Sequence, residues 1–373
     1  MDPTSVAASP EEPVHPAYDG ACISNIVPAL LEWDDRPRWL PEPVREADQV
    51  VLLVLDGLGW DQLAEREACA PTLASFAGGP ATTVAPSTTA TALTSIATGL
   101  APGEHGIVGY RIMVEGEVLN VLRWNTVQGD GRARHRPALL QPNAAFAGHR
   151  PPVVTKADFV DTGFTQAHLE ATRFTGYRQP STLVTHVAAH ARRGEPFIYA
   201  YYEGIDKVAH EYGLSEYYDA ELRAADQIVA NLMAALPSGV ALLVTADHGQ
   251  VHTGDDVVAP HRDVLAHVAQ QSGEARFRWL HARSGRAGAL HEACEAHHGE
   301  QAWVFTRDEL VDGGWFGPKV TDEARARLGD VALAAKGTIA FSDPADSGPY
   351  VLVGRHGSLT SAEMRVPLLG AVV

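Results

Sequence analysis

The chain has 373 residues, 45% of them hydrophobic and 20% charged, which is enough apolar material for a large core and excludes a disordered or fibrous class. Its 29 Lys and Arg against 46 Asp and Glu give a formal net charge of -17. A long nucleic-acid polymer is therefore not an expected partner, although a small phosphate can bind where cations reverse the local sign.

Residues 1 to about 20 are rich in Pro, Ser and Glu and read as a loose arm. They lack the basic and apolar regions of a signal peptide, and no stretch approaches a membrane span. The cytoplasm is the expected compartment, with no membrane partner; the oligomeric state is left open. Cys22, Cys69 and Cys294 are too few and scattered for a disulfide framework or a zinc knuckle and are expected as buried thiols. A short helix is expected over residues 26–33, with Pro28 in its first turn. Residues 1–48 are thus an arm and an approach helix, followed by a catalytic domain over 49–373.

Residues 51–55 are five consecutive apolar residues, the pattern of a fully buried parallel strand. It ends in Asp56-Gly57, so a carboxylate stands at its carboxyl end, where open α/β sheets bind ligands. A helix is expected near 61–76. Pro86-Ser87 then stop a strand and open a helix over 90–98 that closes on Gly99. Thr89 sits at the start of that helix, where free N–H groups favour negative charge. Residues 107–114 and 118–124 form a hairpin, and 125–150 are an irregular excursion.

A strand is expected at 153–155, a helix at 182–193, and a second buried strand at 196–202 ending in Glu203-Gly204-Ile205-Asp206. Ser215 opens a long amphipathic helix that ends at Pro237-Ser238-Gly239. Residues 240–246 form a third buried strand, ending in Asp247-His248. Between about 255 and 345 the pattern changes. Helices at 262–271, 285–297 and 321–328 alternate with strands at 275–280, 302–306 and 331–335, which suggests an inserted α+β cap subdomain. Residues 351–353 are expected to return to the main sheet and end in Arg355-His356. The fold class is α/β, a mostly parallel central sheet sandwiched by helices, with that smaller cap.

The recurring feature is a buried strand that ends in metal-type ligands: Asp56, Asp206 with His210, Asp247 with His248, and His356. Three carboxylates and three imidazoles suit zinc better than manganese or iron. Asp206 and His210 fall one helical turn apart, on one face. Asp247 and His248 are adjacent on a chain leaving a strand, and would serve two metals or two sides of one. Two metals about 3.5–4 Å apart are the standard clamp for in-line displacement at phosphorus, and a metal is an accepted activator for a Thr hydroxyl.

This ordered set resembles the alkaline phosphatase superfamily, and within it the type I phosphodiesterase/nucleotide pyrophosphatase branch. The matching pieces are LDGLG at 55–59, PSTTATALTSIATG at 86–99, PGEHGI at 102–107, EGIDKVAHEYG at 203–213, TADHG at 245–249 and GRHG at 354–357. The resemblance covers about residues 50 to 373. It implies two divalent ions, expected as zinc. Asp206, His210 and His356 would hold one; Asp56, Asp247 and His248 would hold the other, with the Thr89 oxygen bridging to it. The distance from nucleophile to the Thr-Gly that closes its helix selects Thr89 over Thr88, in agreement with the Pro-Ser-x-Thr frame of phosphonoacetate hydrolases.

The chain departs from the branch in two places. Ala90-Thr91-Ala92 replaces Phe-Pro-Asn after the nucleophile, and Gly109-Tyr110 stands where an Asn contacts a phosphate oxygen. The Cys/Ser-x-Pro-Ser-Arg motif of sulfatases is missing. The expected function is hydrolysis of phosphodiester or nucleotide pyrophosphate bonds in a small phosphorylated substrate, through a phosphothreonine. The alternatives are a monoesterase or phosphonate hydrolase on the same site and, more remotely, a non-catalytic phospho-ligand binder. Trp60 and Tyr110 are candidate substrate contacts. His105 is expected to order its loop, His252 is a weaker pocket candidate, and His291, His297 and His298 are expected to be solvated.

Overall fold

The computed structural model describes residues 12–32, 35–346 and 351–373. Seven strands form the central sheet, labelled β1 to β7 in chain order: Gln49–Leu55, Ala77–Thr82, Pro152–Lys156, Arg173–Tyr177, Phe197–Tyr202, Val240–Thr245 and Arg365–Val372. Their spatial order is β2-β7-β6-β1-β5-β3-β4. β7 runs antiparallel to both neighbours, and the other pairings are parallel. β5 and β6 are buried at every position, as is β1 from Val50 on. Both faces are covered by helices, which explains the unbroken apolar runs.

Three loops leave the carboxyl ends of the adjacent strands β6, β1 and β5. Two of them are locked by a backbone exchange, Asp56 N–H to Tyr202 O at 2.9 Å and Asp206 N–H to Asp56 O at 3.1 Å. Gly57 makes this approach possible. Its φ is +76°, and a Cβ there would meet Asp206 Cα at 2.9 Å. The helix Thr89–Thr98 is buried along its whole length and ends at Gly99, whose φ of +71° closes it.

A second, antiparallel sheet is built from Val268–Glu274, Phe277–Ala282, Val331–Ala335 and Ala302–Thr306, in that spatial order. It is joined to the first by a fully buried ion pair. Arg276 donates from Nε and Nη2 to the two oxygens of Glu363, at 2.7 and 2.8 Å. Glu363 also accepts from Ser358 N–H and Thr360 Oγ1, and its carbonyl accepts from Gly249 N–H. A single residue thus ties down both loops, its carboxylate holding the chain after His356 and its backbone carbonyl the chain after His248.

Several local expectations are corrected. The helix expected at 61–76 is three pieces, Trp60–Glu65, Glu67–Cys69 and Pro71–Ala74; the chain leaves helical geometry at Arg66, and again at Ala70, where Pro71 disfavours a continuing helix. The helix expected at 262–271 stops at Leu265, and the following residues pair as a strand with Phe277–Ala282. Residues 351–353 do not return to the main sheet; Gly354–Arg355 pairs with Val251–His252 in a small ribbon. The strand that does return is β7, whose Pro367 and Gly370 disguise it. The first helix is Ile23–Leu31, so Pro28 is interior rather than in its first turn; the expected end at Trp33 lies outside the described residues.

Of the expected loose arm, residues 1–11 lie outside the described residues, and 12–20 are not loose. Val14 N–H bonds Leu359 O at 2.8 Å, Ala17 N–H bonds Thr82 Oγ1 at 2.8 Å, and Tyr18 OH bonds Trp315 O at 2.9 Å. The three cysteines are free and buried. Among the described residues, no helix is long and apolar enough to cross a membrane.

Candidate active site

The six residues expected as ligands, with Thr89, converge at the carboxyl ends of β1, β5 and β6. Around His248 Nε2 stand Thr89 Oγ1 at 3.0 Å, Asp56 Oδ1 at 3.4 Å and Asp247 Oδ2 at 3.4 Å. Asp247 and His248 therefore aim at one point, on one side, and not in opposite directions. In the second set, Asp206 Oδ1 lies 3.3 Å from His210 Nε2 and 3.7 Å from His356 Nε2. Asp206 also has an oxygen within 4.8 Å of ligand atoms of Asp56 and His248, so the sets adjoin. The His248 and His356 rings stack with centroids 3.5 Å apart.

All three imidazoles are held in one tautomer. His210 Nδ1 bonds Gly354 O at 2.8 Å, His248 Nδ1 bonds Gly249 O at 2.9 Å, and His356 Nδ1 bonds Ser87 O at 2.9 Å. A carbonyl only accepts, so each Nδ1 carries the proton and each Nε2 turns a lone pair to the site. This is how metal-binding histidines are oriented. The carboxylates are braced similarly: Tyr201 OH donates to Asp56 Oδ2, Gly57 N–H donates to Asp247 Oδ1 at 3.1 Å, and Gln250 Nε2 donates to Asp206 Oδ1 at 2.5 Å.

The charge balance of this protein-only site is unfavourable. Burial, then the charges of Asp247 and Asp206, raises the Asp56 carboxyl well above its ordinary range. Burial also raises Asp247, with Asp206 adding to it and His248 opposing. Burial, with His248 and His210 beside it, pushes His356 well below the usual imidazole value. Among the described residues, the two carboxylate oxygens 3.4 Å from His248 Nε2, Asp56 Oδ1 and Asp247 Oδ2, are buried without a hydrogen-bond partner. Orphaned buried carboxylate oxygens are costly unless a cation satisfies them. The donor set and these orphans fit a pair of divalent ions.

Beside Thr89, Asp56 and Asp206 opens a cavity of about 240 Å³. Its walls include Leu93, Leu122, Phe159, Phe164, Tyr199 and Tyr201, with Glu203 and Lys207 among its polar lining residues. Tyr199 and Tyr201 alternate along β5, so their shared face was legible in the sequence. The Phe159 and Phe164 wall comes from two short helices, Ala157–Phe159 and Gly163–His168, too brief to carry a periodic signal. Glu203 accepts from Tyr177 OH at 2.7 Å and pairs with both Lys156 at 2.9 Å and Lys207 at 3.4 Å.

The other singled-out residues lie elsewhere. Trp60 starts a helix and Tyr110 OH accepts from Asn120 Nδ2; neither lines the cavity. Thr88 stands at the N-cap position of the helix that Thr89 begins, without a capping side-chain hydrogen bond. His105 does order its loop, bonding Ser95 Oγ at 2.8 Å and accepting from Ile107 N–H at 3.1 Å. His252 Nδ1 accepts from Leu214 N–H outside the cavity. His298, expected in solvent, is buried.

A search of curated proteins returned no match. Among solved structures, murine ectonucleotide pyrophosphatase/phosphodiesterase 5 superposes with a TM-score of 0.65 at 16% identity, covering 86% of this chain and 87% of that one. An inactive threonine-to-alanine form of that protein, in complex with AMP, gives 0.66 at 15% identity over the same shares. Phosphonoacetate hydrolase from Sinorhizobium meliloti 1021, in complex with phosphonoacetate, gives 0.62 at 18% identity, covering 89% of this chain and 90% of that one. These likenesses carry the fold. The profile of the type I phosphodiesterase / nucleotide pyrophosphatase family matches residues 50–359, most of the chain. The chain therefore belongs to that family, in the alkaline phosphatase superfamily, and is a phosphoric ester hydrolase.

Proposed function

We propose that the chain hydrolyses diesters or nucleotide-type pyrophosphates of small molecules, with Thr89 as nucleophile, a phosphothreonine at that position, and zinc at both donor sets. The observation that carries this reading is the meeting of Thr89 Oγ1 with two partnerless buried carboxylate oxygens around His248 Nε2. The inactive threonine-to-alanine form of the murine neighbour supports a threonine nucleophile.

When bound, two divalent ions would lower the pKa of the Thr89 hydroxyl and polarise the phosphoryl oxygens. Asp56, Asp247 and His248 would hold one ion, and Asp206, His210 and His356 the other. Thr89 is the first residue of its helix, so unpaired first-turn N–H groups and the positive helix end lie where negative charge gathers. Thr89 Oγ1 gives up its proton and bonds to phosphorus as the departing oxygen leaves with the bonding pair and takes up a proton. The second substituent stays on phosphorus, and water then attacks phosphorus opposite Thr89 Oγ1, releasing the monoester and restoring the Thr89 hydroxyl. The cavity accepts the organic group. Its volume is below the roughly 300–1,000 Å³ of drug-sized sites, which favours one compact group over an extended polymer.

The test is turnover of an aryl diester by zinc-loaded protein, with mass spectrometry of the quenched protein. The expected result is the phosphoryl group with its remaining ester substituent on the peptide containing Thr89, and loss of turnover on chelation. A protein that turns over no diester, pyrophosphate, monoester or phosphonate would overturn the reading. Preferential cleavage of a phosphonate would move it to the alternative suggested by the phosphonoacetate hydrolase fold.

A further inference from the structure

A second group of metal-type side chains lies outside the cavity. His261, Asp263 and His297 each offer one ligand atom, and the three atoms lie within 4.8 Å of one another. Asp263 Oδ2 is 3.5 Å from His261 Nδ1 and 3.3 Å from His297 Nε2. Tetrahedral bonds of about 2.0–2.1 Å put neighbouring ligand atoms about 3.3–3.4 Å apart, so these spacings are close to those around one zinc-sized ion. The two rings stack with centroids 3.8 Å apart and planes 20° apart. His261 Nδ1 accepts a long hydrogen bond from Asp263 N–H at 3.3 Å, a weak bond that an ion at Nδ1 would replace.

The residues come from separate elements. His261 and Asp263 stand at the start of the short helix Arg262–Leu265, and His297 is in the last turn of Ala287–His298. The next residue, His298, fixes their register. Its Nε2 accepts from His261 N–H at 3.0 Å, so its other nitrogen, 3.1 Å from Gln301 Oε1, donates. The backbone beneath the three side chains is therefore already ordered, which reduces the entropy lost on binding an ion. Their side chains are 40%, 55% and 33% exposed, so an ion can reach them from solvent.

We propose that His261, Asp263 and His297 form a third cation site, separate from the catalytic pair, that takes a divalent ion of the zinc class. Two imidazoles, one carboxylate and water complete its shell. It clamps the segment that follows the His248 loop to the end of the Ala287–His298 helix. Nickel and copper compete for such a set, copper most strongly.

The test uses the full chain in equilibrium dialysis against buffered free zinc, with metal counted per chain. Wild-type protein is expected to bind one more zinc than either His297→Ala or His261→Ala, and Asp263→Asn to bind that ion at least about tenfold more weakly. As a second measurement, copper added to wild-type protein with zinc in the catalytic pair should give a two-nitrogen electron paramagnetic resonance pattern that either His variant loses. Hydrolysis should be unchanged in all three variants. Equal zinc counts in wild type and both His variants would overturn the site. The readout is a difference of one ion, so it stands or falls independently of the proposed catalytic metals.

Discussion

Thr89 Oγ1 and His248 Nε2 lie 3.0 Å apart although 159 residues separate them in the chain. The contact joins the start of a buried helix to the end of strand β6, and both partnerless carboxylate oxygens surround it. Thr89→Ala is expected to cut kcat by about 10³-fold or more while zinc content stays at the wild-type value. His248→Ala should lose both. Steady-state kinetics beside metal analysis checks this. Wild-type kcat in Thr89→Ala with lost kcat in Thr88→Ala would move the nucleophile by one residue.

Tyr201 acts through Asp56. Its hydroxyl donates to Asp56 Oδ2, the oxygen that does not face His248. Tyr201→Phe keeps the ring in the cavity wall and removes that donor. Zinc affinity is expected to weaken about 10–100-fold, the usual cost of losing a group that orients a ligand. The measurement is activity restored against free zinc, where the midpoint should shift and the plateau remain. A lowered plateau at saturating zinc would instead assign the hydroxyl to the substrate.

The three buried strands that precede Asp56, Asp206 and Asp247 were readable because each signal is local, whereas His356 was placed by the resemblance, since the strand expected before it is not in the main sheet. An apolar run such as 51–55 has few alternatives, and each run stops at its own acid. What could not be read depends on distant partners. Residues 268–271 look helical until Phe277–Ala282 is there to pair with them. β7 contains Pro367 and Gly370, and only its position beside β6 makes it a strand. The cavity wall at Phe159 and Phe164 sits in helices of three and six residues, where side-chain direction follows from packing and not from a readable period. The His261 group spans two elements whose proximity no spacing encodes.

No residue lining the cavity comes from 255–345 among the described residues, so that segment is expected to buttress the site more than to select substrates. The connection is the buried Arg276–Glu363 pair. Arg276→Ala leaves Glu363 charged and buried, which costs about 3–5 kcal/mol and loosens the loops carrying His356 and His248. Denaturant unfolding should show the loss, and KM ratios between substrates should hold constant. Substrate-dependent changes in KM would return the segment to the role of a cap.

Glu274 lies where the second sheet meets Gly357 and the Tyr110 loop. Its Oε2 accepts from Tyr110 N–H at 3.0 Å, and Oε1 has no partner among the described residues. Burial raises its pKa to about 8, with the Tyr110 N–H and Arg278 opposing. The folded value is above the unfolded one, so between them the folded state holds a proton that the unfolded state has released. Stability from this group is full below about pH 4.5 and is lost as pH rises to about 8, at on the order of 1.4 kcal/mol per pH unit. Glu274→Gln should flatten that slope. Parallel slopes in the two proteins, measured by urea unfolding from pH 5 to 9, would count against the assignment.

The choice between diesters and monoesters rests on what lies beyond the donor atoms. A monoester dianion brings an extra charged oxygen that needs a further cation. Arg355 does not supply one: it is buried, reaches Gly254 O at 3.4 Å, and does not line the cavity. His168 does line it, but burial lowers its pKa to about 4, so the ring is neutral at pH 7. Lys207 remains, and it already pairs with Glu203, which Lys156 shares. Lys156 also pairs with Asp158 at 3.9 Å, so that edge sets two lysines against two carboxylates and offers no surplus positive charge. The walls facing the same space are Leu93, Leu122, Phe159 and Phe164, which accept an uncharged organic group. A matched aryl diester is therefore expected to exceed its monoester in kcat/KM by about tenfold or more. Phe164→Ala should lower the diester value mainly through KM, by roughly 1–3 kcal/mol of lost apolar contact. Lys207→Ala should depress whatever monoester turnover exists more than diester turnover. A wild-type ratio favouring the monoester, abolished by Lys207→Ala, would reverse the assignment and make Lys207 the cation that selects the dianion.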